Sequence, residues 1–197
     1  MRWAELNRST LETNVSVKLE LDQNKPVAVN CGIAFLDHML TLFATHGAFG
    51  LAVTGSGDIQ VDDHHLTEDL GLTIGKAFNI ALGDRSGIGR YGCAIIPMDE
   101  ALIRMVVDIS GRPFFQSQYR FPAEKVGTFD TELVNEFLRG FSLAAGITIH
   151  LDILAGMNTH HIIEAIFKAL GRAMKEAVRK TGDIIPSTKG IIEEGSD

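Results

Sequence analysis

The chain has 197 residues, 45% hydrophobic and 22% charged, with a formal net charge of −7. That composition suits a folded protein with a sizeable core, and the acidic balance argues against general nucleic-acid binding, which needs a basic surface. No apolar run approaches the roughly 18 residues that span a bilayer, and the start of the chain, with an acid at Glu5, lacks a signal-peptide pattern. Cys31 and Cys93 have no CxxC spacing and read as two reduced thiols, with a lone disulfide as the alternative. A cytoplasmic protein without nucleic-acid or membrane partners is expected.

In chain order, Val15, Val17, Leu19 and Leu21 alternate with Ser16, Lys18 and Glu20, the period of a half-buried strand. Phe35, Leu36, Met39, Leu40 and Phe43 fall at helical spacing, and Gly47 ends that helix. A short strand over 49–53 follows. Asp62 and Asp63 offer an N-cap for a helix carrying Leu66, Leu70, Ile74, Ala77, Phe78 and Ala81, closed by 83–87. Further on, the pattern predicts strands over 102–109 and 114–121, a helix over 133–143, a strand over 147–153 and a long helix over 159–179.

The second half repeats the first. His64-His65-Leu66-Thr67-Glu68 corresponds to His160-His161-Ile162-Ile163-Glu164, a separation of 160 − 64 = 96 residues. Upstream, His38 has Glu136 as its counterpart. Downstream, Gly83-Asp84 lies seven residues before Arg90, as Gly182-Asp183 does before Lys189. These landmarks predict an α+β fold built by internal duplication, each half a small sheet with two helices on one face. The halves are 1–90 and 91–197, with a tail from about 182.

Successive side chains on a helix point about 100° apart, so His64 and His65 face different directions while Glu68 lies alongside either. Two such helices suit two metal sites, each helix contributing to both. Imidazole and carboxylate without thiolate fit Mn, Fe, Co, Ni or Zn. His38 and Glu136 are expected to be ligands as well, since glutamate is the replacement for histidine that keeps one. His46 either lines the site or sits at a solvated helix end. His150, alternating within a strand, takes a structural or supporting part. Arg90, Arg112, Lys168, Ser187, Thr188 and Lys189 supply hydroxyls and cations for an anion such as a phosphate. A dinuclear phosphoesterase and a metal-storage protein are the rival readings of these residues.

In combination, Leu36-Asp37-His38-Met39, Asp63-His64-His65, Pro97-Met98-Asp99-Glu100-Ala101, Asp108-x-Ser110-Gly111-Arg112-Pro113, His160-His161-Ile162-Ile163-Glu164 and Pro186-Ser187-x-Lys189-Gly190 resemble imidazoleglycerol-phosphate dehydratase, over nearly the whole chain. The resemblance implies a hydro-lyase of histidine biosynthesis that converts imidazole glycerol phosphate to imidazole acetol phosphate through a metal-bound imidazolate. It implies two Mn(2+) ions per site, other divalent transition metals being alternatives, and a homo-oligomeric shell of 24 subunits with sites between subunits. His38, His64, His65, Glu68, His160, His161 and Glu164 match metal-binding positions, with Glu136 where members carry either His or Glu. Arg90, Arg112, Lys168, Ser187 and Lys189 match phosphate-binding positions. Catalytic roles are expected for Glu12, His65 and Glu164. Glu12, also a substrate contact, is the candidate for proton transfer, although an exposed strand-end acid is the plainer reading of the same residue.

Overall fold

The computed structural model describes residues 1–22 and 26–192, so the last five residues of the predicted tail lie outside the described residues. The first half comprises β1 (Trp3–Ser9), β2 (Thr13–Glu20), β3 (Val27–Asn30), α1 (Ala34–Gly47), β4 (Gly50–Gly57) and α2 (His64–Leu82). The second comprises β5 (Tyr91–Met98), β6 (Ala101–Asp108), β7 (Phe114–Ser117), the short pair β8 (Lys125–Val126) and β9 (Phe129–Asp130), α3 (Leu133–Ala145), β10 (Thr148–Ala155) and α4 (Thr159–Val178). The sheets are ordered β1-β2-β4-β3 and β5-β6-β10-β7, the same arrangement twice. In both, the third and fourth strands are parallel and joined through a helix, and the other pairings are antiparallel. This is the duplicated α+β architecture the repeat predicts.

Alternation builds these sheets. Val15, Val17 and Leu19 of β2 are buried beneath α2, and Ile103, Met105 and Val107 of β6 beneath α4. In the two four-stranded sheets three strands lack such a signal, and a fourth is shorter than predicted. β1 is an edge strand on which only Ala4 is buried, and β3 is four residues long. β5 carries Gly92 and Pro97, which read as breakers; an edge strand tolerates the proline. Gly92 is required because a Cβ there would collide with the Ala173 carbonyl of α4. β7 stops at Ser117, four residues short of the predicted end, because its parallel pairing with β10 ends there.

The helices form one layer between the sheets, and each packs on a helix of the other half: α1 on α4, and α2 on α3. Glycines set these close crossings. A Cβ on Gly75 would lie 2.5 Å from the Phe141 carbonyl, and one on Gly171 would meet the Phe43 carbonyl. Gly75 and Gly171 are again 96 residues apart, so the crossing itself is duplicated. Phe43, Phe78, Phe137, Phe141 and Phe167 interlock across the layer, which makes the two halves a single core. Among the described residues, no helix is long and apolar enough to cross a membrane.

Candidate active site

Both His-His pairs open a helix. The carboxylate of Asp62 accepts a hydrogen bond from His64 N (2.8 Å), and the side chain of Asn158 accepts from His160 N (2.9 Å). Each satisfies an amide that the first helical turn leaves without a partner. The rings of His64 and His65 stand 6.0 Å apart at 90°, and those of His160 and His161 6.3 Å apart at 82°. Each pair therefore points one imidazole towards the neighbouring helix and one towards a strand turn.

At the crossing of α1 and α4, His38 Nε2 and His160 Nε2 lie 3.8 and 3.4 Å from Glu164 Oε2. Suitable ligand atoms of these three residues fall within 4.8 Å of one another. Glu164 is only 9% exposed. Burial raises its carboxyl, but the Lys168 ammonium, 2.5 Å from Oε1, together with His38 and His160 outweighs that and holds it below the usual range. Beside this corner lies a cleft of about 750 Å³ whose lining includes Phe35, His38, Asp62, Asp63 and Lys125. Asp63, facing Asp62 and Asp130 there, has its carboxyl raised by burial first and by those neighbours second.

The equivalent crossing of α2 and α3 is less closed. Gly140, one turn after Glu136, packs against the Glu68 carbonyl, but the Glu136 carboxylate turns to Arg139 at 2.9 Å. His64 and Glu68 stand on this helix start without converging on Glu136 as the first trio does.

A second type of corner forms where the other imidazole of each pair meets a strand turn. His65 Nδ1 is 3.0 Å from Asp58 and 3.8 Å from Glu12, and these three residues form another convergent group. His161 Nδ1 is 2.7 Å from Glu100, with Asp99 3.7 Å from its Nε2. Asp58 and Glu100 raise the protonation of their histidines, and His161 in turn pulls the Glu100 carboxyl down to about 2. Asp58 and Glu100 are absent from the site residues read off the sequence. The signal for Glu100 was present: β2 and β6 start 88 residues apart (101 − 13), and the residue before each is a glutamate, Glu12 and Glu100.

The anion-binding candidates gather elsewhere. Arg90, at φ 67, donates from Nε and one terminal nitrogen to Asp108 and from the other to the Pro186 carbonyl (2.8 Å). It thereby holds the tail bearing Ser187, Thr188 and Lys189 against the body. Gly87 N donates to the Ile184 carbonyl, and a Cβ on Gly87 would strike Gly182. Arg112 is exposed in the turn after β6, at the same end of the sheet, because Tyr91 pairs with Asp108. Lys168 is the exception, lying beside Glu164 and Met98. His46, at the last turn of α1, has its imidazole lowered by burial and by Lys168 and Arg172. His150 is exposed on the outer face of its sheet against Phe114.

Residues 31–174 match the family model described as Imidazoleglycerol-phosphate dehydratase. The chain belongs to that family. A relative so named from Thermoanaerobacter pseudethanolicus is 52% identical over 98% of this chain and all of its own length. Another, from Desulforamulus reducens, is 51% identical over 97% of this chain and 98% of its own. The crystal structure of the imidazoleglycerol-phosphate dehydratase from Staphylococcus aureus superposes with a TM-score of 0.83 at 44% identity, covering 91% of this chain and 99% of that one. The dehydratase from Pyrococcus furiosus, solved in complex with (S)-C348, gives 0.82 at 36% identity, over 94% and 99%. Membership in the imidazoleglycerol-phosphate dehydratase family makes the chain an enzyme of the lyase class. Its family match covers both the His38–Glu164 corner and the Arg90 loop.

Proposed function

We propose that this enzyme dehydrates imidazole glycerol phosphate to imidazole acetol phosphate in histidine biosynthesis, in the cytoplasm, at sites assembled between copies of the chain. The observation that carries the composite site is a separation within one chain. His38, His64, Glu68, Glu136, His160 and Glu164 all stand in the first half of their helices. Arg90 N, by contrast, donates to the carbonyl of Ala177, 16 residues beyond His161 on α4 (177 − 161). At 1.5 Å per residue that is roughly 24 Å, more than a three-carbon phosphate ester with an imidazole ring can bridge. One subunit's helix starts and another's Arg90 end are therefore needed for one substrate, which suits a closed homo-oligomer such as a 24-subunit shell.

The donor set fits two Mn(2+) ions per site, or other divalent transition metals. His38, His160 and Glu164 supply one trio and Glu136, His64 and Glu68 are the corresponding residues of the other crossing, while His65 and His161 point from their helix starts to the strand turns. The half-exposed imidazoles of His38 and His160 leave room for donors of a neighbouring subunit and of substrate. When bound, the ions supply Lewis acidity that favours the imidazolate form of the substrate ring. The chain's own residues do the rest. Glu12, exposed at the β1–β2 turn 3.8 Å from His65, is placed to move the carbon-bound proton. His65 holds charge beside it, and Glu164 does so at the α1–α4 corner. Arg90, Arg112, Lys168, Ser187, Thr188 and Lys189 clamp the phosphate and so position the reacting carbons, with His46 bordering that strip.

The test incubates the metal-loaded protein with imidazole glycerol phosphate. Formation of a ketone without release of inorganic phosphate is expected. Release of phosphate would redirect the reading to a phosphoesterase, and neither product to metal storage. Mass measurement of the native particle should give a closed multiple of the subunit mass; a catalytically competent monomer would overturn the composite site.

A further inference from the structure

The two duplicated turn carboxylates have different surroundings, and this difference carries an inference that rests on the metal-site reading above. Glu100 is fully engaged. Its Oε2 lies 2.7 Å from His161 Nδ1, and its Oε1 accepts from the backbone amides of Asn158 (2.8 Å) and Met157 (3.2 Å). It thus fixes both the imidazole and the loop whose Asn158 starts α4. Glu12, the matching residue before β2, approaches His65 only to 3.8 Å, with 57% of its side chain exposed.

The place of Glu12 beside His65 is taken by Asp58, whose carboxylate lies 3.0 Å from Nδ1 and whose amide donates to the Glu12 carbonyl (3.1 Å). Asp58 directly follows β4. The residue that directly follows β10 is Gly156, where a Cβ would sit 2.6 Å from Ile162. The second half has no room for an equivalent acid. The turn carrying Glu12 also has its own anchor, since Asp69 on α2 accepts from the Thr13 hydroxyl and from Arg8 Nε (2.7 Å). The corresponding second-half positions are Ala101 and Ala165. Glu12 is held in place through its backbone while its carboxylate is left free.

We propose that the duplicated glutamates have divided their work: Glu100 positions His161, whereas Asp58 positions His65 and leaves Glu12 free to meet substrate. In both corners a carboxylate receives the Nδ1–H, so the neutral imidazole presents Nε2 as its lone-pair nitrogen. Asp58 and Glu100 are positioning residues that act through histidine.

The experiment uses the full chain with Asp58→Ala, Glu100→Ala and Glu12→Gln. In metal-free protein, ¹⁵N NMR reads the tautomer of each histidine; Mn(2+) affinity is then read by chelator competition, and turnover on the loaded enzyme. Asp58→Ala should release the tautomer of His65 and Glu100→Ala that of His161, each weakening Mn(2+) about 10- to 100-fold. Glu12→Gln should keep both tautomers and wild-type affinity while losing turnover. If Glu12→Gln weakens the metal as Asp58→Ala does, or if Glu100→Ala leaves the His161 resonances and affinity unchanged, the division is wrong. Should Glu100→Ala not fold, Glu100→Gln must still shift the His161 ring nitrogens, and no shift overturns the proposal. A wild-type protein that binds no Mn(2+) refutes the metal reading instead, and the tautomers of the metal-free protein still judge the division.

Discussion

The two halves share strand order, helix crossings and the spacing of their His-His pairs, yet differ at the corners where those pairs point. The α1–α4 crossing draws His38, His160 and Glu164 into one group with Lys168 behind it, whereas at the α2–α3 crossing Glu136 turns to Arg139. At the strand turns, the second half binds its histidine through Glu100 and the first through Asp58. Packing demands explain what stayed alike: Gly75 and Gly171 each face a carbonyl that leaves no space for a side chain. Packing also limits what diverged: a Cβ at Gly156 would meet Ile162, so only the first half can place an acid directly after the third strand of its sheet, and the second relies on Glu100.

The strongest test of equivalence removes one imidazole from each crossing. His160→Ala and His64→Ala should both lower bound metal and cut turnover by at least about 100-fold, roughly 2.7 kcal/mol of barrier. Metal analysis and steady-state rates on the two variants decide the matter. Full occupancy and turnover in His64→Ala would mean that only the α1–α4 corner binds an ion, and the halves would have diverged in function as well as in detail.

The matched cations should differ in a smaller but more informative way. Arg90 is braced by Asp108 and grips the tail through Pro186, whereas Lys189 is an exposed ammonium on that tail. Arg90→Ala should therefore cost about 1.5–3 kcal/mol of substrate binding, because a charge-assisted, fork-shaped contact and the docking of the tail are lost together. Lys189→Ala should raise KM less, and both should leave metal content intact. Equal losses would show that the tail needs no anchor; a loss of metal in either would place these groups at the metals rather than the phosphate.

Much of this was legible in the sequence because the duplication amplifies weak signals. One HHxxE run on a helix is ambiguous, but two runs 96 residues apart, with Gly75 and Gly171 at the same offset, locate helices, crossing points and metal-facing ends together. Strands that bury side chains on one face announced themselves in the same way. The edge strands β1 and β5 did not: β1 buries one residue, and β5 opens its inner face with Gly92 and Ala94 because the helix backbone lies directly on Gly92. Asp58 was hidden for a different reason, and Glu100 showed only through its match to Glu12. Which acid reaches His65 or His161 depends on the path of a turn between strands, and periodicity carries no information about turns. The roughly 24 Å along α4 from His161 to the residue that Arg90 joins likewise follows from which helix end the loop rejoins.

The smallest expected effect distinguishes the strand-turn corners by pH in the metal-free protein. His161 is raised above its ordinary value of 6.5 by Glu100, and Glu100 is lowered from 4.5 to about 2 by His161 and the Asn158 amide. A raised histidine contributes stability that is fully present below 6.5 and lost as pH climbs through its folded value. A lowered carboxylate contributes above 4.5 and fades as pH falls towards 2. Both contributions are complete only between about pH 4.5 and 6.5. The melting temperature of wild type minus that of Glu100→Gln should peak in that window and shrink on either side. Water screens so exposed a pair, so the peak should be shallow, and salt should flatten it further. An Asp58→Asn series should show a falling limb on the alkaline side, because His65 is raised in the same sense. A difference independent of pH in the Glu100 series would mean that its bonds to the Met157 and Asn158 amides hold the turn without help from His161.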